Sequence, residues 1–350
     1  MMILAYDILS WNGGVPMSDY APPYRITDQM MNLVAAISEK VGSISSWQHM
    51  NANPRLRRSN RIRTIHASLA IENNTLSLEQ VTAIIDGKRV LGAPTEIQEV
   101  KNAYDAYEQL LSFDPYSISD LQAAHGVLMR DLVSEAGRFR SGGVGVFKGD
   151  RVIHMAPPAH LVPEHMEKLL RWVQETRAHP LIKSCVFHYE FEFIHPFADG
   201  NGRMGRMWNT LLLYRWKPLF AWLPVESVIQ SRRDAYYEAL GMADRQADAA
   251  PFVEYMLQAI LDSLNAIQYD DPQDMSIDPQ MRLLLSKMGD EALSTSELMR
   301  RLGLRNRPSF LRNYLHPALE QGFIEMTIPD KPSSRNQQYR RKSFSAADGS

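Results

Sequence analysis

The sequence predicts a mainly α protein with one small β-hairpin near its middle and a separate C-terminal segment of helices closing on a strand. Three observations carry this. Apolar residues recur at helical spacing through most of the chain from Thr27 to Ile267. Residues 138 to 158, RFRSGGVGVFKGDRVIHMAPP, break that rhythm and read as a hairpin. An acidic, proline-bearing stretch, YDDPQDMSIDPQ at 269 to 280, has no apolar period and separates what precedes it from a basic tail.

With 350 residues and 45% hydrophobic content the chain can bury a large core and hold two or three domains. The net charge of -2 says little taken globally. The single cysteine, Cys185, excludes an internal disulfide and leaves no Cys-rich metal site. No run approaches the ~18 consecutive apolar residues of a membrane span, and Met1 to Trp11 lacks a basic start and a cleavage pattern. The expectation is a cytoplasmic protein with no membrane partner.

In chain order, residues 1 to 24 carry Gly13-Gly14, Pro16 and Pro22-Pro23 and read as an irregular lead-in. Asp28 to Val41 is a helix closed by Gly42. Asn53 and Pro54 form a cap and first position for a helix through Arg58, Ile62, Ile65, Leu69 and Glu72, ending near Asn73-Asn74. Ser68 and Glu72 stand four apart on one face. The carboxylate therefore sits at a helix C-terminus, where the dipole disfavours it and a cation elsewhere would stabilise it.

Two capping boxes are expected next, Ser77 to Gln80 ahead of Val81 to Asp86, and Thr95 to Gln98 ahead of Val100 to Leu111, with Gly87 and Pro115 as terminators. A helix from Ile118 to Leu132 carries His125, read as packed. Val144, Val146 and Phe147, then Lys148-Gly149-Asp150, then Val152 and Ile153 make the hairpin. Further helices fit Pro163 to Thr176, Glu226 to Leu240 and Phe252 to Ile267.

The stretch Phe187 to Arg215 reads as helix, tight loop, helix. Pro196 pushes His195 out of the α region, so the imidazole sits at a helix end facing the loop. Gly200 and Gly202 let backbone N–H groups converge ahead of the second helix, which makes an anion site. Arg203 and Arg206 oppose that helix dipole and call for an anionic partner. A His able to take a proton, an Asp able to hold a hard divalent ion, an N–H nest and two guanidiniums suit a polyphosphate and a proton acceptor. His188, Glu192 and His195 could also be drawn as metal ligands. With no further cluster at ligand spacing, phosphate chemistry explains His195 better.

His195-Pro-Phe197-Ala-Asp199-Gly200-Asn201-Gly202-Arg203-Met-Gly-Arg206 resembles the Fic family pattern H-x-F-x-[DE]-G-N-G-R-x-x-R at all eight specified positions. The resemblance implies transfer of AMP from ATP, with Mg²⁺, to a Ser, Thr or Tyr hydroxyl of a target protein. It implies His195 as base, Asp199 as Mg²⁺ ligand and Gly200, Asn201 (backbone and side chain) and Gly202 as phosphate cradle. Arg203 and Arg206 would face the β and γ phosphates, with Phe197 as loop anchor. Ser68-Leu-Ala-Ile-Glu72-Asn73 resembles the family's inhibitory motif [ST]-x-x-x-E-[GN], whose Glu pairs with the second Arg of the loop, here Arg206. The hairpin matches the position of a flap that can hold the target segment by strand addition.

Residues 281 to 342 hold twelve Lys+Arg and six Asp+Glu, a local +6. A helix from Met281, a Ser294 start for a helix through Leu302, Pro308 to Gln321, Gly322, strand-like Phe323 to Ile328 and a loop from Asp330 to Asn336 resemble a winged helix-turn-helix, which suits nucleic acid or protein equally. The segments are then 1–112, an N-terminal helical region with the inhibitory helix; 113–268, a Fic-type helical core with its flap; 269–280, a linker; and 281–345, the winged helix. Protein adenylyl transfer restrained by Glu72 is the leading reading, with self-modification and a homodimer left open. Two rivals remain: removal of AMP from a modified protein by the same site, and a DNA-binding regulator whose core senses nucleotide.

Overall fold

The computed structural model describes residues 20–43, 54–143, 145–148, 151–268 and, in the C-terminal part, 279–341 without 290, 305, 321, 332, 333, 335 and 336. Helix α1 (Asp28–Ser43) starts where Thr27 Oγ1 accepts from Met30 N at 3.1 Å. Helix α2 (Pro54–Ile71) has its proline first; the expected Asn53 cap lies outside the described residues. Helix α3 (Leu78–Ile85) carries the predicted capping box, with Ser77 Oγ accepting from Gln80 N at 3.3 Å and Gln80 Oε1 from Ser77 N at 2.9 Å. Gly87 ends it at φ +75.

The second predicted box does not form. Helix α4 (Pro94–Gln109) begins one residue before Thr95, and Ala93 is its cap with no side-chain bond. Pro94 has no N–H to satisfy and its ring holds a helical φ, so it starts the helix by itself. Helix α5 (Ile118–Leu128), capped by Ser117, stops four residues short of the expected Leu132. The chain leaves the helix with Met129 fully buried and Asp131 at φ 62.

Strands β1 (Gly145–Lys148) and β2 (Arg151–Met155) pair antiparallel with a bulge between Val146 and Phe147. Val144 and the turn residues Gly149 and Asp150 lie outside the described residues. There follow α6 (Val162–Glu175), α7 (Pro180–Ile194), α8 (Asn201–Trp216), α9 (Val225–Ser231), α10 (Arg233–Gln246) and α11 (Ala250–Gln268). The single helix expected over Glu226 to Leu240 is two, because Arg232 leaves helical geometry at φ -128, ψ 37.

Helix α7 is apolar on nearly every side, and a helix of that kind must be buried all round. Its Phe187, Phe191 and Ile194 join a core with Ile65, Val100, Leu121, Leu169, Met207 and Trp208. Its Leu181, Cys185, Val186 and Tyr189 face a second core with Ile37, Tyr236, Phe252 and Ile260. The first core draws on residues either side of position 112. Each full burial of a Leu or Phe contributes about 1.5–3 kcal/mol, so α7 and its neighbour α8 form a stiff pair. The loop that joins them, 195–200, is thus anchored at both ends in the core.

Helix α2 is tied to the same frame. Arg61, 3% exposed, stacks its guanidinium 4.7 Å from the Trp222 ring centroid and 5.1 Å from that of Tyr107. Buried Glu226 accepts from Tyr107 Oη and Thr210 Oγ1, both at 3.4 Å, and burial pushes its carboxyl up to about 6. No described helix is long and apolar enough to cross a membrane.

The chain divides into two compact units, 1–267 and 268–350. In the second, residues 269–278 of the expected linker lie outside the described residues, and Pro279 opens α12 (Pro279–Met288). Then come β3 (Leu293–Ser294), α13 (Thr295–Arg301), α14 (Arg307–Phe310) continued by a π-helical turn (Leu311–Leu315) and α15 (His316–Glu320), β4 (Ile324–Met326) and β5 (Gln338–Arg341). The sheet is antiparallel in the order β3-β5-β4, and Leu284, Leu298, Phe310, Leu315, Ile324 and Tyr339 fill the core beneath it. The helices and β4 fall in the order read from the sequence, whereas β3 and β5 were not expected; of the expected loop from Asp330 to Asn336, residues 332, 333, 335 and 336 lie outside the described residues. Arg300 and Arg301 both face Glu297, and Arg340 faces Glu325, so three of the segment's cations are paired with its own acids.

Candidate active site

Helix α7 ends at Ile194, and His195 turns left-handed at φ 51, ψ 61 while its N–H still closes the helix on Phe191 O at 2.9 Å. The left-handed turn carries the chain out of the helix ahead of Pro196. The His195 Nδ1 lies 3.3 Å from Glu192 O. A carbonyl can only accept, so Nδ1 carries the hydrogen and the Nε2 lone pair is left to take a proton. His195 is half-buried.

Beyond it, Phe197 is fully buried against Phe139 and Phe191, with the His125 ring stacked on it at 3.7 Å between centroids. The Asn201 side chain does not face outward to phosphate as the family resemblance implied. Its Oδ1 accepts from Phe197 N and its Nδ2 donates to Phe197 O, both at 2.9 Å. Buried backbone groups released by the end of α7 need partners, and Asn201 supplies two at once. Gly200, the cap of α8, sits at φ +81, and a Cβ there would stand 2.6 Å from Met129 Sδ. Loop shape and helix start are thus set by side chains from α5 and α8 together.

Arg203 and Arg206 are 5% and 2% exposed, far more buried than a polar helix start suggests. Arg206 Nη2 donates to Glu72 Oε1 at 2.8 Å and to Ser68 O at 3.0 Å, and its Nε donates to Ser68 Oγ at 3.1 Å. Ser68 therefore holds the arginine rather than the glutamate. Burial alone would lower the proton affinity of Arg206, but the Glu72 carboxylate, with Tyr236 and Glu192 nearby, outweighs it and holds the guanidinium protonated. Arg206 Nη1 is buried without a partner among the described residues. A Cβ built on Gly202 would overlap Glu72 Oε1. The carboxylate of the α2 terminus thus lies directly over the glycine of the nest.

Arg203 Nη1 donates to Glu99 Oε1 at 3.0 Å, and its Nη2 lies 3.4 Å from Asp199 Oδ1. The anionic partners called for at the α8 N-terminus are accordingly Glu72, Glu99 and Asp199. Asp199 keeps its side chain 60% exposed, and its Oδ1 also accepts from Gly200 N at 2.6 Å. Among the described residues no group of three His, Cys, Asp or Glu could cage a metal. One exposed carboxylate beside an N–H nest nevertheless fits Mg²⁺, which keeps waters and is completed by substrate phosphates. His188 lies fully buried, its Nε2 3.2 Å from Tyr236 Oη and 3.7 Å from Glu192 Oε1.

Three contributors were not legible from the sequence. Glu99 is one acid on an ordinary amphipathic helix. Arg140 is 3% exposed and donates to the carbonyls of His195 (2.7 Å), Gly142 (2.9 Å), Pro157 (2.5 Å) and Ile194 (3.3 Å), joining the loop to both feet of the hairpin. Its position in a Gly-rich stretch was the only hint. His125, read as plain packing, is buried but uses both nitrogens: Nδ1 accepts from Gly137 N at 2.9 Å, so Nε2–H donates to Asp199 O at 3.0 Å. Burial pushes its pKa down to about 4.

Fold and loop together define a Fic-type helical core, and the comparisons agree. The Fic/DOC family profile matches residues 115–213, and that of the Filamentation induced by cAMP protein Fic-like, C-terminal domain, matches 279–341. A Fic family protein from Desulfovibrio desulfuricans G20 is 56% identical in sequence, superposes with a TM-score of 0.71, and is covered over 99% of its chain by 93% of this one. The chain belongs to the Fic family. The protein adenylyltransferase fic-1 of Caenorhabditis elegans is 30% identical over 248 residues, which are 64% of this chain and 46% of that protein. The protein adenylyltransferase Fic of Nematostella vectensis is 32% identical over 217 residues, 58% of this chain and 47% of that one. The chain spans about half the length of these curated relatives.

Proposed function

We propose that this chain is a protein adenylyltransferase that moves AMP from ATP to a hydroxyl of a protein, and that Glu72 restrains it. The observation that supports this best is the superposed demand on one spot. Arg206 holds the Glu72 carboxylate by a charge-assisted hydrogen bond, directly against Gly202 at the start of α8. A site that already accepts a carboxylate has the donors and charge to accept a terminal phosphate.

The target hydroxyl gives its proton to His195 Nε2 as its oxygen forms a bond to the α-phosphorus; the bond from that phosphorus to the bridging oxygen breaks and pyrophosphate leaves. His195 is aimed by the Nδ1 bond to Glu192 O, which fixes the tautomer. The backbone at 200–202 receives phosphate oxygens, with Arg203 and Arg206 offsetting their charge. Asp199 would hold Mg²⁺, which when bound would supply further charge stabilisation to the phosphates. Protein groups contribute position and electrostatics, the terms that dominate phosphoryl-type transfer. The hairpin β1–β2, tied to the loop through Arg140, offers a strand edge that no other described strand pairs, suited to adding the target segment.

The test is intact-mass and peptide mass spectrometry of the protein after incubation with ATP and Mg²⁺, alone and with cell lysate, for wild type and Glu72→Gly. An AMP adduct on the chain or on a lysate protein that strengthens in Glu72→Gly is the expected result. No adduct in either protein overturns the reading. Loss of AMP from a pre-modified target that depends on Glu72 would assign the carboxylate to activating water instead.

A further inference from the structure

Arg203 is shared unequally between two carboxylates. The shorter contact, 3.0 Å, goes to Glu99 on α4, whose side chain is 24% exposed; the longer, 3.4 Å, goes to Asp199 on the loop, 60% exposed. Arg203 Nε is buried without a partner among the described residues, so the guanidinium leans on these two acids for compensation. The other Glu99 oxygen is used as well: Oε2 accepts from Asn74 Nδ2 at 2.8 Å. Asn74 lies two residues past Glu72, where its Oδ1 accepts from Leu76 N at 3.1 Å and its N donates to Leu69 O at 3.1 Å, closing the turn that ends α2.

We propose that Glu99 is a positioning residue for the nucleotide: by carrying the charge of Arg203 it keeps Asp199 available to a divalent cation. This rests on the adenylyl-transfer reading for its ligand. The physical argument is charge partition. A guanidinium 6% exposed cannot lose its nearer anion without finding another, because a buried unpaired charge is strongly disfavoured. Among the described residues the other carboxylate paired with Arg203 is Asp199. An Asp drawn into a short charge-assisted pair with Arg203 is a poorer ligand for Mg²⁺, since the cation must then compete with an arginine for the same oxygens.

The experiment uses the full chain with Glu72→Gly, where the cradle is open, and measures ADP binding by calorimetry over a range of Mg²⁺ and of Mn²⁺ concentrations. Adding Glu99→Gln keeps the size of the side chain and an acceptor for Asn74 but removes the charge. The metal concentration for half-maximal ADP binding should rise about tenfold, equivalent to about 1.4 kcal/mol. Adding Glu99→Asp, which keeps the charge, should hold that concentration within about twofold, whereas a purely structural role would suffer more from the shortened Asp than from the isosteric Gln. Removing the competitor as well, with Glu99→Gln and Arg203→Gln together, should return the metal requirement to that of Arg203→Gln alone.

Identical metal requirements with and without Glu99→Gln overturn the proposal, as does a larger shift for Asp than for Gln. If the Gln variant does not fold, the Asp variant decides by itself: a shift beyond twofold counts against charge partition. Failure of the Glu72→Gly protein to bind ADP at any metal concentration is a different result. It would overturn the nucleotide reading on which the proposal stands.

Discussion

Glu72 Oε1 takes a hydrogen bond from Arg206 Nη2 at 2.8 Å across 134 residues of sequence, and the same oxygen lies against Gly202. One carboxylate atom thus occupies both the guanidinium and the glycine that a terminal phosphate would use. Occupation by one excludes the other, so release of Glu72 should be visible as activity. A charge-assisted bond contributes roughly 1.5–3 kcal/mol, and we expect Glu72→Gly to raise transfer about ten- to a hundredfold. Rates measured with labelled ATP check this; equal rates in the two proteins would make Glu72 an ordinary helix-end residue. Ser68→Ala should act less, because Arg206 keeps its bond to the Ser68 carbonyl.

Losing the imidazole of His195 removes the proton acceptor and leaves Gly200, Gly202 and both arginines in place. In the Glu72→Gly protein, His195→Ala should lower transfer by about 10² to 10⁴ while ATP affinity by calorimetry changes little. Near-normal transfer would remove His195 from the mechanism.

At Gly202 two effects must be separated. In the wild type a new Cβ meets Glu72 first, so Gly202→Ala both disturbs the inhibitory pair and crowds the cradle. In the Glu72→Gly background only the second effect remains. There Gly202→Ala and, more strongly, Gly202→Val should weaken ATP binding, read by calorimetry. Unchanged affinity would place the phosphates elsewhere.

His125 links loop stability to pH. Its pKa is about 4 in the folded chain because burial disfavours the charged ring, against about 6.5 when unfolded. The unfolded state therefore binds the extra proton first. The stability that neutral His125 contributes is present above about pH 6.5 and is lost as pH falls toward 4, amounting to roughly 3 kcal/mol across that window. Urea unfolding of wild type and His125→Gln at pH 7 and pH 4.5 should show the wild type losing more on acidification. Equal losses would mean His125 does not govern this dependence.

The elements came through from local signals where the signal is itself local. The Ser77–Gln80 capping box forms as read, because both its bonds lie within four residues. Thr95–Gln98 has the same letters but a proline one residue earlier, and the stiffer constraint takes the helix start. The break at Arg232 and the early end of α5 at Leu128 carry no strong breaker in the sequence.

What the sequence determined by itself is the His195-to-Arg206 loop between two buried helices and the placing of Glu72 at the end of a third. Those follow from residue type and spacing: a His ahead of Pro196, glycines at 200 and 202, and a helical stripe stopping at Asn73. Tertiary structure decided the partners. Periodicity says which face of a helix is buried but not against whom, so Glu99 at Arg203 across 104 residues, Arg140 at the His195 carbonyl across 55 and His125 under Asp199 across 74 are set only by how α4, α5 and the hairpin close on the loop. Asn201 is the plainest case. An amide side chain can serve a phosphate or the backbone with the same atoms, and here its oxygen and nitrogen bond the N–H and C=O of Phe197.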